Sequence, residues 1–288
     1  MDNPETLKKK LGTVHDLLSI VKTMKGLAAV NIRHYEKAVT ALEEYDRAVR
    51  LGWRALFPLR GSLNGSRPGK ATLMLVIGSD QGMCGQFNDL ACRLALETLE
   101  ELESAPQAIR IWSIGARARY ALEDAGKPTQ AHFHLPGGIP GVNALVQRLV
   151  RDFESLRRKE HVETLYIVHN RQTGSIPGPV ARRLLPLDQD WLASLKADPW
   201  PTKALPRLEA DPETLFKALF RQYFLVSLHR ALAESMASEN SARLNAMQAA
   251  EKNIIELEEN LQATYREVRQ NTITAELLDI VSGFEALS

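Results

Sequence analysis

Between Pro212 and Gly283 the chain contains neither glycine nor proline. A run of that length without a helix breaker constrains the fold more than any other feature, because glycine and proline are the residues that most reliably end helices. Stepping by seven from Leu219 gives Val226, Ala233, Asn240, Met247, Ile254, Leu261, Val268 and Ala275, and only Asn240 is polar. A seven-residue apolar repeat sustained over many turns is a coiled-coil signal. The run opens on "DPETL" at Asp211. There an Asp side chain can cap orphan amides, Pro supplies the preset φ of the first helical position, and Glu suits the positive end of the helix dipole.

The same punctuation, "NPETL", opens at Asn3, and a second repeat follows it: Leu7, Val14, Val21, Ala28, Tyr35, Leu42 and Val49. The spacing predicts a helix from Pro4 to Leu51, ended by Gly52 or the Pro58 region. Gly26 weakens it, since glycine costs about 1 kcal/mol relative to alanine inside a helix. The second helix would reach about 105 Å at ~1.5 Å per residue. Stripes of that length must be covered, so the two helices are expected to pair antiparallel. Setting Val49 opposite Leu219 places Leu7 opposite Leu261, Val21 opposite Met247 and Ala28 opposite Asn240. Everything after about Leu261 is then expected to project without a partner. That end carries the apolar "LLDIVSGFEAL", the kind of exposed surface that another protein covers.

The chain between the helices has a different grain. "ATLMLVIGS" (Ala71 to Ser79) is a continuous apolar run with β-branched members, followed by a Gly-rich turn and the helical pattern "LACRLALETLEEL". "AIRIWSIG" precedes the helical "ARARYALEDAG"; "QAHFHL", a helical segment from Val142 to Arg158, and "VETLYIVHN" continue the alternation. Alternating strand and helix predicts a Rossmann-like α/β insert with a largely parallel sheet. "LKADPWPTKALPRLEADP" (Leu195 to Pro212) reads as a proline-rich connector. The expected division is residues 1–57 as the first coiled-coil helix, 66–208 as the α/β domain, and 211–288 as the second helix and its tip.

Thirty-six basic against thirty-five acidic residues leave a formal charge of +1, so no global field argues for nucleic acid or an anionic membrane. Cys84 and Cys92 form no CxxC pattern and read as small buried residues in a reducing compartment. No apolar run approaches the ~18 to 20 residues that span a bilayer, and "MDNPETLKKKL" resembles neither a signal nor a transit peptide. A bacterial cytosolic setting is the simplest expectation. In "VIGSDQGMCGQFN" the glycines Gly78, Gly82 and Gly85 match neither GxGxxG nor a phosphate loop. Close backbone packing explains them, with Asp80 and Asn88 fixing the loop through bonds to the backbone. His132 and His134 point to one face of a strand, but sequence signals no acidic or Cys partner near them, so they read as surface or half-buried histidines. The basic clusters Lys8–Lys10 and Arg157–Lys159 read as solvated helix faces. No catalytic residue, cofactor-binding residue or metal ligand is singled out.

Four segments then converge. "SIVKTMKGLAA" (Ser19 to Ala29), "IGSDQGMCGQFN" (Ile77 to Asn88), "SENSARLNAM" (Ser238 to Met247) and "YREVRQNTITAELLDIVSG" (Tyr265 to Gly283) resemble the best-marked segments of the gamma subunits of F-type ATP synthases. Their order and separations agree over essentially the whole chain. The resemblance implies an antiparallel coiled coil with a Rossmann-like insert, and a role as the central rotor shaft that couples c-ring rotation to ATP synthesis or hydrolysis at the beta subunits. It implies no active site and no cofactor of its own. The implied partners are the alpha and beta subunits of the catalytic ring, the epsilon subunit and the c-ring, with no nucleic acid and no insertion into the membrane. The implied place is the cytoplasmic face of a bacterial inner membrane.

By position in those motifs, Lys22, Met24, Lys25, Arg243, Arg269 and Gln270 match residues that touch the catalytic ring, and Glu209 and Asp211 match the foot on the c-ring. The chain departs from its relatives in Gly26 for a second Met, Gln81 for an Arg, Gln86-Phe87 for Gly-Leu, and "VNIRHYEKA" for a more basic run. Such departures suit a divergent bacterial version, one that could be encoded in an alternative F-type operon. Two other classes fit the bare pattern: a structural coiled-coil adaptor, and an α/β enzyme whose insert binds a nucleotide.

Overall fold

A computed structural model describes residues 3–60, 71–102, 109–173, 176–187, 189–197, 200–202, 209 and 211–285. Helix α1 runs Pro4–Arg60 and the last helix, α6, runs Pro212–Glu285. Their starts are built as the punctuation predicts. The Asn3 carboxamide oxygen accepts the Glu5 amide at 3.3 Å, and Asp211 accepts both the Thr214 amide at 3.0 Å and its hydroxyl at 3.2 Å. Between them lie β1 (Ala71–Ile77), α2 (Phe87–Glu101), β2 (Ile109–Ile114), α3 (Ala116–Asp124), β3 (Ala131–Phe133), α4 (Ile139–Glu160), β4 (Val162–Thr173), β5 (Ile176–Leu185) and α5 (Gln189–Ala197). The chain separates into two compact units, Met1–Ala28 with Arg243–Ser288, and Ala29–Ala242.

In the larger unit the sheet order is β3-β2-β1-β4-β5. The first four strands pair in parallel, and β5 adds to β4 antiparallel. The sheet is therefore largely parallel, as the strand–helix alternation predicts, with one antiparallel strand added at its edge. β5 is illegible in sequence because Pro177 and Pro179 argue against a strand, yet proline is tolerated on an edge. Every residue of β1 is buried, as a central parallel strand covered on both faces requires. Leu73, Leu75 and Ile77 face a core built from α4 (Val146, Leu149, Phe153), from Trp53 and Leu56 of α1, and from Tyr223 and Phe224 of α6. Met74 and Val76 face the opposite core, made by Cys92 and Ala95 of α2 and Ala118 and Leu122 of α3.

Within the same unit, α1 and α6 pair antiparallel, three residues away from the register that the repeats suggest. Gly52 rather than Val49 lies against Leu219, and Asn31 rather than Ala28 meets Asn240, with Asn31 Nδ2 donating to Asn240 Oδ1 at 3.4 Å. Leu219 packs directly over Gly52: a Cβ at position 52 would sit 2.6 Å from Leu219 Cδ2, so a larger residue there would make the leucine side chain shift. α1 does not stop at Gly52 and continues to Arg60.

In the smaller unit, Leu7, Val14, Leu18 and Val21 of α1 and Met247 of α6 are buried, as the stripes predict. The last partly covered residue of α6 is Val268, beyond the predicted Leu261, and residues 269–282 are exposed. The side chains of residues 283–288, part of the predicted apolar tip, lie outside the described residues, as do the insert boundaries at 66 and 208.

Candidate functional site

The Gly-rich turn after β1 is a packed junction. Asn88 Oδ1 accepts the Ser79 amide at 2.9 Å, and Asn88 Nδ2 donates to Ser79 Oγ at 2.9 Å. Asp80 places Oδ1 on the Ala116 amide and Oδ2 on the Leu135 amide, both at 2.8 Å, and so ties the turn to α3 and to the end of β3. A Cβ on Gly78 would lie 2.5 Å from both Ala118 Cβ and Asn88 Oδ1. A Cβ on Gly115, which has φ +90°, would lie 2.7 Å from the Ser79 carbonyl carbon. These glycines serve close approach of main chain to main chain, with the Asn88 and Ala118 side chains filling the space beside Gly78. Both cysteines are buried and take part in no disulfide, and burial, aided by Asp89, pushes the Cys92 thiol up to about 12.

The turn also carries an arrangement that sequence spacing does not signal. His134 Nδ1 stands 3.4 Å from Asp80 Oδ1, the two histidine rings meet edge to face with centroids 4.8 Å apart, and His132 Nδ1 lies 3.1 Å from Ser113 Oγ. Sequence signals no acid beside these histidines, and the fold supplies one. Asp80 is remote in sequence and adjacent in the fold. Burial first, and His134 second, lower the His132 pKa.

A second polar group sits where helix meets sheet. His169 Nε2 and Glu234 Oε2 are 2.9 Å apart with both side chains nearly buried, and Arg230 Nε donates to Glu234 Oε1 at 3.0 Å. Burial pushes the Glu234 carboxyl up, but the hydrogen bonds from His169 and Arg230 outweigh it and hold it below its usual value. No spacing rule could join residues on β4 and α6.

The eight residues matched to partner contacts do not gather into one place. Lys22 is exposed and Met24 half-buried, while Lys25 forms an ion pair with Glu251 of α6. Arg243 is buried. Arg269 and Gln270 are exposed on the bare part of α6, Glu209 is exposed, and Asp211 uses its side chain as the α6 cap. Past Val268 the helix displays Ile273, Leu277, Leu278, Ile280 and Val281, each 46 to 66% exposed. Among the described residues no helix is long and apolar enough to cross a membrane.

The ATP synthase family model matches residues 3–287. The ATP synthase gamma chain of Granulibacter bethesdensis is 30% identical over the full length of both chains, and that of Thermosynechococcus vestitus is 29% identical, also over both full lengths. The chain belongs to the ATP synthase gamma-chain family. A chain in the cryo-EM structure of the Euglena gracilis mitochondrial ATP synthase (OSCP/F1/c-ring, rotational state 3) superimposes with a TM-score of 0.67 at 20% identity, covering 99% of this chain and 94% of that one. That likeness extends the family assignment to the fold, and membership makes the chain the central-stalk subunit of an ATP synthase. The family's departures can also be placed. Gly26 is exposed, with nothing within 4 Å of an added Cβ, so the missing methionine leaves no cavity inside the chain. Phe87, standing for the usual leucine, is buried, and its carbonyl accepts Asn170 Nδ2 at 2.8 Å.

Proposed function

We propose that the chain works as the torque-bearing shaft of its ATP synthase, through the contacts that the motifs mark. Residues 1–57 and 211–288 form the shaft and 66–208 the α/β body. The bare apolar end of α6 carries this reading, because five large apolar side chains exposed in succession need a surrounding partner. That partner is the ring of alpha and beta subunits, with the c-ring and the epsilon subunit at the other end. The complex sits peripherally on the cytoplasmic face of a bacterial inner membrane.

The shaft does no bond chemistry. It acts as a ligand whose faces favour different conformations of each beta subunit, and it shifts them only by its differential contact energy. Lys22, Met24, Lys25, Arg243, Arg269 and Gln270 supply those contacts. The Lys25–Glu251 pair is partly exposed. Lys25 keeps about a third of its side chain exposed, so an acidic loop of a beta subunit can compete with Glu251 for it. Glu209 and Asp211 face the c-ring at the foot.

Co-expression with the cognate alpha and beta subunits tests the proposal, with ATPase measured in the presence and absence of this chain. A purified complex whose sustained ATPase depends on the chain is the expected result. A folded chain that neither joins nor activates the ring would overturn it.

A further inference from the structure

We propose that Asp80, His132 and His134 form a binding site for a divalent transition ion of the zinc class, on the rim of the sheet where the β1 turn meets the end of β3. One ligand atom from each of the three side chains lies within 4.8 Å of the others. Two imidazoles and one carboxylate are the donor set that zinc and its neighbours in the first transition row prefer over calcium or magnesium.

Each ligand is positioned before any ion arrives. Asp80 is held by two backbone amides, one on each oxygen, and every carboxylate oxygen keeps a further lone pair for a cation. Ser113 Oγ lies at hydrogen-bond distance from His132 Nδ1; when the ring donates from Nδ1, its Nε2 is left as a metal-binding lone pair. A partner on the second ring nitrogen is the usual way a protein orients a metal-binding histidine. His134 is the mobile member, with its side chain 80% exposed. On a tetrahedral ion with bonds near ~2.1 Å the ligand atoms stand roughly 3.4 Å apart, so the triad must contract, and the exposed His134 ring has the freedom to do so. Arg119 pairs with Glu123 at 2.8 Å, which reduces its repulsion of a cation, while the Arg117 guanidinium lies toward Gly82 of the same turn. Three protein ligands on an exposed rim leave the fourth position to water.

The site would act as a clip. It would tie the β1 turn to β3 by a bond that does not depend on the backbone amides already in use.

Equilibrium dialysis of the full chain, purified without a polyhistidine tag, against Zn²⁺ provides the test, with Co²⁺ as a spectroscopic substitute. One equivalent of metal is expected to bind, with a visible ligand-field band in the cobalt form. His134→Ala removes an exposed ligand without disturbing the core, and it should weaken binding by about tenfold or more. Ser113→Ala keeps all three ligands and removes only the positioning bond; it should weaken binding by about tenfold, the range seen when such partners are lost. No binding by the wild-type chain would overturn the proposal. So would binding that His134→Ala and Ser113→Ala leave unchanged, because the ion would then sit elsewhere.

Discussion

The turn after β1 and the last turns of α6 are both marked segments of this family, and they are built in opposite ways. In the turn, the polar and glycine residues that the fold uses are spent inward: Asn88 and Asp80 accept backbone amides, and Gly78 and Gly115 let main chain touch main chain. On α6 residues 269–282 are exposed, and Thr272 Oγ1 and Thr274 Oγ1 donate to carbonyls of their own helix, those of Val268 and Gln270, both at 2.9 Å. A motif can therefore be distinctive because the fold needs it or because a partner does. Burial separates the two cases.

The sharpest way to break this contrast is Gly115→Val. A Cβ there meets backbone atoms of Gly78 and Ser79 at 2.7 to 2.8 Å, at a φ of +90° that β-branched residues do not adopt. Strain and overpacking together should cost about 4 kcal/mol or more. Urea unfolding followed by tryptophan fluorescence should show the midpoint collapse; an unchanged midpoint would mean that the turn is looser than described.

Glu234→Gln should have a smaller effect, about 2 kcal/mol at neutral pH, because it leaves a buried histidine facing a neutral amide. The folded carboxyl titrates below its usual value of 4.5. Its contribution is therefore present above that value and is lost as pH falls through the lower folded pKa. Wild-type stability should drop over that acidic window, and the variant should lack that part of the slope. Parallel slopes in urea titrations at several pH values would remove the pair from the account of acid stability.

The smallest effect on the chain itself belongs to Leu278→Ser, at a residue 61% exposed. Its own unfolding midpoint should move by no more than about 0.5 kcal/mol. Recovery of the complex with alpha and beta subunits should nevertheless fall. If assembly is untouched, the apolar end of α6 is not a bearing surface.

Much of the architecture is legible without coordinates. The heptad repeats mark α1 and α6, the Asn3 and Asp211 caps mark their starts, and the apolar run from Ala71 marks the central strand. Antiparallel pairing follows, because two long apolar stripes joined through an insert have to cover each other. These are local or period-based signals, and local energetics writes them directly into residue order. Tertiary structure alone decided the rest. A seven-residue stripe slides along its partner at little cost, so the repeat leaves the register open; in the folded chain Gly52 lies against Leu219 and Asn31 meets Asn240. β5 exists because an edge position forgives its prolines. Asp80 beside His134, and Glu234 beside His169, join residues that no spacing relates, because a contact between distant segments depends on where the whole backbone has already been folded.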